Sequence, residues 1–406
     1  MFPDNKLSSR NGVLATGVFA MLFSGILYAW SILKVPFKTD FGFSDSSLAF
    51  NFTLTMCFFC IGAFLGGRLF KIIGTKRTII LAGILVGIGF FCTGLIANTV
   101  VLLYIFYAAF AGLGIGIAYN VILSTVSAWF PDKKGFCSGM LMMAFGASTL
   151  ILGKVIETLF AAKAVGWQKT FMIFGVTLAF VLIFTGLILK TPSNEVVFPV
   201  EKIRKKAIKE CFEARDYSTA EMVRRFSFWR ALICLVFLTA VGNSVISFAR
   251  DLVISVGAEA SLATTLVGVL SICNGLGRIF AGALFDMKGR RATMLAANII
   301  TIFAAGVTLI AVTIGSLPLC ITGLCLTGLS YGSCPTVCSA FTAAFYGQKH
   351  FPSNFSITNF NLLGAAFIAT LSSNLFLSTN SYVAPFAMLL VLSVAALGLN
   401  LSIRKP

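Results

Sequence analysis

Gly66-Gly67-Arg68-Leu69-Phe70-Lys71-Ile72-Ile73-Gly74 closes one apolar run of the chain, and Gly282-Ala283-Leu284-Phe285-Asp286-Met287-Lys288-Gly289-Arg290-Arg291 closes another. The two stretches are 215 residues apart, 282 minus 67. A second echo joins Gly114-Ile115-Gly116-Ile117-Ala118-Tyr119 to Thr327-Gly328-Leu329-Ser330-Tyr331-Gly332, where 331 minus 119 is 212. Two matches at nearly one offset read as an internal duplication. Duplicated apolar halves, with a binding site near the bilayer midplane where the repeats meet, are the pattern of secondary transporters.

Outward from these stretches, the composition agrees. Of 406 residues 58% are hydrophobic and 11% charged, against roughly 25% charged in soluble chains, which excludes a soluble globular protein. A spanning helix needs about 20 mainly apolar residues. Such runs fall at 11–33, 48–70, 78–97, 100–123, 136–159, 168–189, 228–249, 261–285, 293–314, 317–341, 355–377 and 382–402. The first run is itself long enough to span, so it reads as a membrane helix and not as a cleavable signal. The two-residue alternation of a membrane barrel is absent. The expected fold is therefore all-α, with twelve transmembrane helices in two pseudo-symmetric six-helix bundles, 1–189 and 228–406. The linker 190–227 reads as two short amphipathic helices, the second capped by Ser218 or Thr219 with Glu221 in its first turn.

The net charge of +17 is a topology signal. Lys6, Arg10, Lys71, Lys76, Arg77, Lys133, Lys134, the eight basic residues between 202 and 225, Lys288, Arg290, Arg291, Lys349, Arg404 and Lys405 all fall on one side if the spans alternate. By the positive-inside rule both termini and the linker are cytoplasmic, and the expected location is a bacterial inner membrane. Nucleic acid is not an expected partner; the lipid bilayer is, with a monomer as the functional unit. Cys57-Phe-Phe-Cys60 has the spacing of a redox or zinc half-motif, but it lies in an apolar span and the lone histidine, His350, lies in a loop. The cysteines read as small buried hydrophobes, and neither a metal nor a cofactor is expected.

Arg278 is the anomaly. It stands seven residues before Phe285, about 10 Å inside the basic boundary and about 22 Å from the opposite one. A charge at such depth costs roughly 2.5–3.5 kcal/mol. None of the fourteen acids falls in the middle third of a span; Glu157, Asp251 and Glu259 lie near outer ends and Asp286 in a loop. Guanidinium matches a carboxylate donor for acceptor, so a small organic anion is the expected substrate. Asn274 lies one turn away on the same face. Tyr119 and Tyr331, at matching places in the repeat, with Tyr28 and Asn361, are further candidates for substrate binding. The alternative for each is helix packing.

The pattern Gly282…Asp286…Gly289-Arg290-Arg291 resembles the loop signature of the major facilitator superfamily, in which it serves conformational change; the first copy departs from it, with Lys71 where the signature has an acid. Tyr28-Ala29-Trp30-Ser31, Trp129-Phe130-Pro131-Asp132-Lys133-Lys134-Gly135, Glu221-Met222-Val223-Arg224 before Phe228-Trp229, and Asn274-Gly275-Leu276-Gly277-Arg278 are similar to the oxalate/formate antiporter family, a relative of the monocarboxylate transporters. The resemblance implies the major facilitator fold, alternating access, and a role for Tyr331 and Arg278 at the substrate. Oxalate carriers of that family pair the arginine with an eleventh-span lysine; Leu362 stands at or beside that position, and Thr327 where those carriers tend to have tryptophan. One cation favours one carboxylate: lactate, pyruvate, formate or a similar anion. Animal-type relatives place an aspartate where Asn274 stands, so a proton must ride elsewhere; Asp251, beside Arg250, is the expected carrier, with a surface pair as the alternative. Proton symport of a monocarboxylate is the leading expectation and organic-anion exchange the second. An enzyme lacks its intramembrane clusters here, while a membrane sensor or an anion channel is the rival from another class.

Overall fold

The computed structural model describes residues 4–130, 134–192, 215–347 and 349–404. The described chain is helix joined by short turns, and eleven of its helices are long and apolar enough to cross a membrane. One of these, Asp45–Thr93, has 49 residues, about 74 Å at 1.5 Å per residue, more than twice a hydrocarbon core of about 30 Å. It turns back at Gly74, whose φ of 78° places it in the left-handed region, where a side chain would be strained. It therefore holds two spans, and the expected twelve are present.

In chain order these are α1 (Arg10–Thr39), α2 (45–73), α3 (75–93), α4 (Val100–Trp129), α5 (Phe136–Ala161), α6 (Gly166–Ile188), α7 (Phe226–Ser255), α8 (Ser261–Phe285), α9 (Met287–Ile314), α10 (Leu317–Tyr346), α11 (Ser353–Thr379) and α12 (Val383–Ser402). The chain turns back at Gly289, within the first residues of the α9 range, where φ is 78°. Gly74 and Gly289 are 215 residues apart, as the quoted stretches require. Several helices are broken: α1 narrows to a 3₁₀ turn at Gly25–Ala29, α4 carries a π-helical stretch at Tyr104–Ala111, and α7 departs from helical geometry at Phe248. Large apolar side chains such as Phe180, Phe303 and Val391 stand more than half exposed on the outer faces, the arrangement lipid requires.

Packing divides the chain into two compact units, Met1–Ser47 with Leu54–Ile203, and Leu48–Thr53 with Arg204–Pro406. Each contains the same close helix pair. In the first, α2 and α4 approach until a Cβ on Gly116 would overlap the Phe59 carbonyl oxygen, and one on Gly62 the Leu113 carbonyl. In the second, α8 and α10 do so at Gly332 against Asn274 and at Gly277 against Leu329. Hydrogen bonds repeat too: Asn120 Nδ2 donates to the Ala63 carbonyl at 2.7 Å, and Thr336 Oγ1 to the Arg278 carbonyl at 3.4 Å. These pairs fix the repeat at 215 for α2 onto α8 (277 minus 62) and 216 for α4 onto α10 (332 minus 116). The sequence offset of 212 for α4 is thus one turn short. Tyr119 corresponds to Pro335, and Tyr331 to Ile115. The slip arises because four residues nearly complete a helical turn, so either register superimposes glycine and aromatic faces.

Of the linker, residues 193–214, with the first expected amphipathic helix, lie outside the described residues, as do Pro131, Asp132 and Lys133 of the loop after α4. The second linker helix, Thr219–Val223, is capped as expected. Ser218 Oγ accepts from the Glu221 N–H at 3.3 Å, and the Glu221 carboxylate accepts the Ser218 N–H at 2.7 Å. The segment before it docks on the end of α10: Tyr217 N–H donates to the Tyr346 carbonyl at 3.0 Å, and Asn354 Nδ2 donates to the Tyr217 carbonyl at 2.9 Å.

Candidate substrate site

The Gly332–Asn274 approach sets the level of the site in the second unit, since only a residue without Cβ lets the α10 backbone lie on the α8 carbonyl. Arg278 follows one turn along α8 and is 1% exposed. Its Nε donates to Asn274 Oδ1 at 3.1 Å, a bond made within one face of the helix. The carboxamide oxygen takes one of the five guanidinium donors. The described acids of this unit, Asp216, Glu221, Asp251 and Glu259, are all exposed; the side chain of Asp286 lies outside the described ones.

A chain of neutral polar groups leads away from the guanidinium. Cys334 of α10 is buried beside Arg278 and within hydrogen-bond reach of Thr239 on α7. Thr239 Oγ1 accepts from Asn361 Nδ2 of α11 at 2.9 Å. Cys334 Sγ in turn donates to the Ser330 carbonyl at 3.4 Å. Tyr331, 1% exposed, lies one turn before Cys334, with its ring pressed on Gly242 of α7, where any Cβ would overlap it. The second unit therefore draws on three helices: Arg278 and Asn274 of α8, Tyr331 of α10 and Asn361 of α11. Thr239, Cys334, Thr336 and Asn243 were not singled out from sequence; Thr239 and Asn243 are polar residues in the middle of α7, the same signal that marked Asn361.

Tyr28 and Tyr119 belong to the first unit and meet around Phe145. The Tyr28 ring sits edge-on to Phe145 at 5.3 Å and the Tyr119 ring at 5.1 Å, with Phe59 at 5.3 Å from Tyr119. The 3₁₀ turn that presents Tyr28 forms where α5 leaves no room for a Cβ on Gly25, against the Phe145 carbonyl. Asp251 is exposed, past the break at Phe248, on the last turn of α7. In the α8–α9 turn Gly282 is buried, Arg290 lies over the Phe345 ring at 4.5 Å, and Arg291 is exposed.

A family model described as Major Facilitator Superfamily matches residues 13–249, and one described as Sugar (and other) transporter matches 203–404. The chain belongs to the Major Facilitator Superfamily. It is accordingly an integral membrane transporter of a small molecule, not an enzyme. Among superfamily relatives, it is 27% identical over 364 residues to the uncharacterized transporter YhjX of Escherichia coli, covering 88% of this chain and 86% of that one. It is 29% identical to the oxalate:formate antiporter of Oxalobacter formigenes over 70% of this chain and 64% of the antiporter. Human monocarboxylate transporter 14 aligns at 26% over 40% of this chain and 31% of its own length. The solved proton:xylose symporter XylE shares the fold, with a TM-score of 0.74 at 14% identity over 100% of this chain and 97% of the symporter.

Proposed function

We propose that this transporter carries a small monocarboxylate of the lactate, pyruvate or formate kind, with Arg278 receiving the carboxylate. The carrying observation is a guanidinium 1% exposed whose Nε is held by Asn274, in a unit whose described acids are all exposed. Such a group is costly in the membrane and offsets that cost by binding an anion with two-to-two geometry. Leu362, at or beside the position where oxalate carriers have a second cation, is buried and apolar, which favours one carboxylate over two. Tyr331, Asn274 and Asn361 complete the proposed site in the second unit; Tyr28 and Tyr119, of the first unit, are also proposed as substrate-binding residues.

Electroneutral symport with a proton, by alternating access, is the proposed coupling, with Asp251 as the carrier and the Gly282–Arg291 turn as a conformational element. Both termini are proposed to face the cytoplasm of a bacterial inner membrane, with a monomer as the unit. The second reading, organic-anion exchange, is favoured by the similarity to the oxalate:formate antiporter. Uptake of labelled lactate, pyruvate, formate and oxalate into proteoliposomes, with and without a pH gradient, tests both. Symport requires gradient-driven monocarboxylate accumulation that is lost in Arg278→Gln; dependence on a counter-anion inside, without response to pH, establishes exchange. Unaltered uptake by Arg278→Gln refutes the anion role, and unaltered pH coupling in Asp251→Asn removes that residue.

A further inference from the structure

Asn243 is fully buried in α7, and among the described residues neither its carboxamide oxygen nor its nitrogen has a hydrogen-bond partner. The same holds for Oδ1 of Asn361 and for Oγ1 of Thr327. A buried polar group left unsatisfied is expensive, and helix spacing puts all three near the same cluster. Asn243 follows Thr239 by one helical turn, so it shares the face on which Thr239 meets Asn361 and Cys334. Its neighbour Gly242 lies against the Tyr331 ring, and Thr327 precedes Tyr331 by one turn of α10. The unsatisfied neutral groups thus flank the cluster that holds Arg278.

We propose that Asn243, with Oδ1 of Asn361, forms a subsite for an uncharged oxygen on the carbon next to the carboxylate, so that the substrates are 2-oxo and 2-hydroxy acids. This rests on the reading that Arg278 takes the carboxylate. The chemistry of a carboxamide suits both kinds: Nδ2 donates to a keto or hydroxyl oxygen, and Oδ1 accepts from a hydroxyl. A second carboxylate would meet no cation here, and an alkyl group would leave the amides unpaired. Sites built to bond a hydroxyl discriminate against the analogue lacking it for that reason.

Propionate, which is lactate without its hydroxyl, is the probe. Uptake of labelled lactate, pyruvate and propionate into proteoliposomes should show lactate and pyruvate preferred over propionate by about 10-fold or more in apparent KM. In Asn243→Leu that ratio should fall toward one, and in Asn243→Ser, which puts a shorter donor and acceptor hydroxyl in place of the amide, it should lie between. Size-exclusion profiles check that the variants fold; if the leucine variant does not, the serine variant and the thermal shift of the native protein by lactate against propionate decide. Equal KM values for lactate and propionate in the native protein, or an unchanged ratio in the variants, overturns the subsite while leaving the monocarboxylate reading intact. Absence of uptake for all three acids overturns that reading itself, and the subsite with it.

Discussion

The two close helix pairs, α2 with α4 and α8 with α10, have one backbone arrangement and two chemistries. Gly62 and Gly116 in the first, and Gly277 and Gly332 in the second, bring carbonyls to the same contacts. Where the first pair has Phe59 and Ala63, the second has Asn274 and Arg278, at 274 minus 59 and 278 minus 63, both 215. Phe59 joins an aromatic group with Tyr119 and Phe145, whereas Asn274 holds a buried guanidinium. The duplication conserves what the backbone needs, small residues at carbonyl contacts, and leaves adjacent positions free to diverge. At these two positions the second copy carries polar and charged side chains, while the first keeps an apolar, ring-lined version of the same wall.

The comparison breaks first at Arg278. Arg278→Gln should lower substrate uptake by about 100-fold, since a hydrogen bond to a charged group is worth up to ~3 kcal/mol, while leaving the protein monodisperse; initial uptake rates check this. Placing the charge in the other copy should do the reverse: Ala63→Arg puts a cation among aromatic rings and should destabilise by roughly 2.5–3.5 kcal/mol, visible as a fall in melting temperature. Gly116→Ala and Gly332→Ala should each cost about 1–3 kcal/mol by overpacking a helix contact, and near-equal losses would sharpen the case that the two contacts are equivalent. Gly74→Ala and Gly289→Ala, both at positive φ, should each cost roughly 1–3 kcal/mol through backbone strain, again in parallel; a large difference between them would count against equivalent turns.

The smallest effect should be at Glu221, a device of the second half. The Ser218 N–H and hydroxyl hold its carboxyl below the usual carboxylate range, with Arg215 and Arg225 adding to this. A lowered folded-state value means the cap is fully in force above the ordinary carboxylate pKa of about 4.3 and is lost as pH falls through the lower one. The protection factors of amides 218–223 should fall below about pH 4, and Glu221→Gln should flatten that dependence.

The fold was legible in the sequence because its determinants are local and repeated. Apolar run length sets helix count through bilayer thickness, and the 215-residue echo at Gly67 and Gly282 already contained the turn glycines. Arg278 and Asn274 were legible for a related reason, since one turn of a single helix places them together. The α4 to α10 register was not, because a pattern of glycines and aromatics matches itself after a shift of one turn.

Sequence alone therefore determined a membrane-spanning, duplicated, all-helical chain with a cation inside one span, as each follows from solvent preference and spacing along one segment. Only the tertiary structure decided which helices lie backbone to backbone, that Thr239, Cys334 and Asn361 meet beside that cation, and that Asn243 is buried with its amide unsatisfied. Those facts depend on rotation and height of one helix against another. Side-chain packing fixes both, and no periodicity within a single span encodes them.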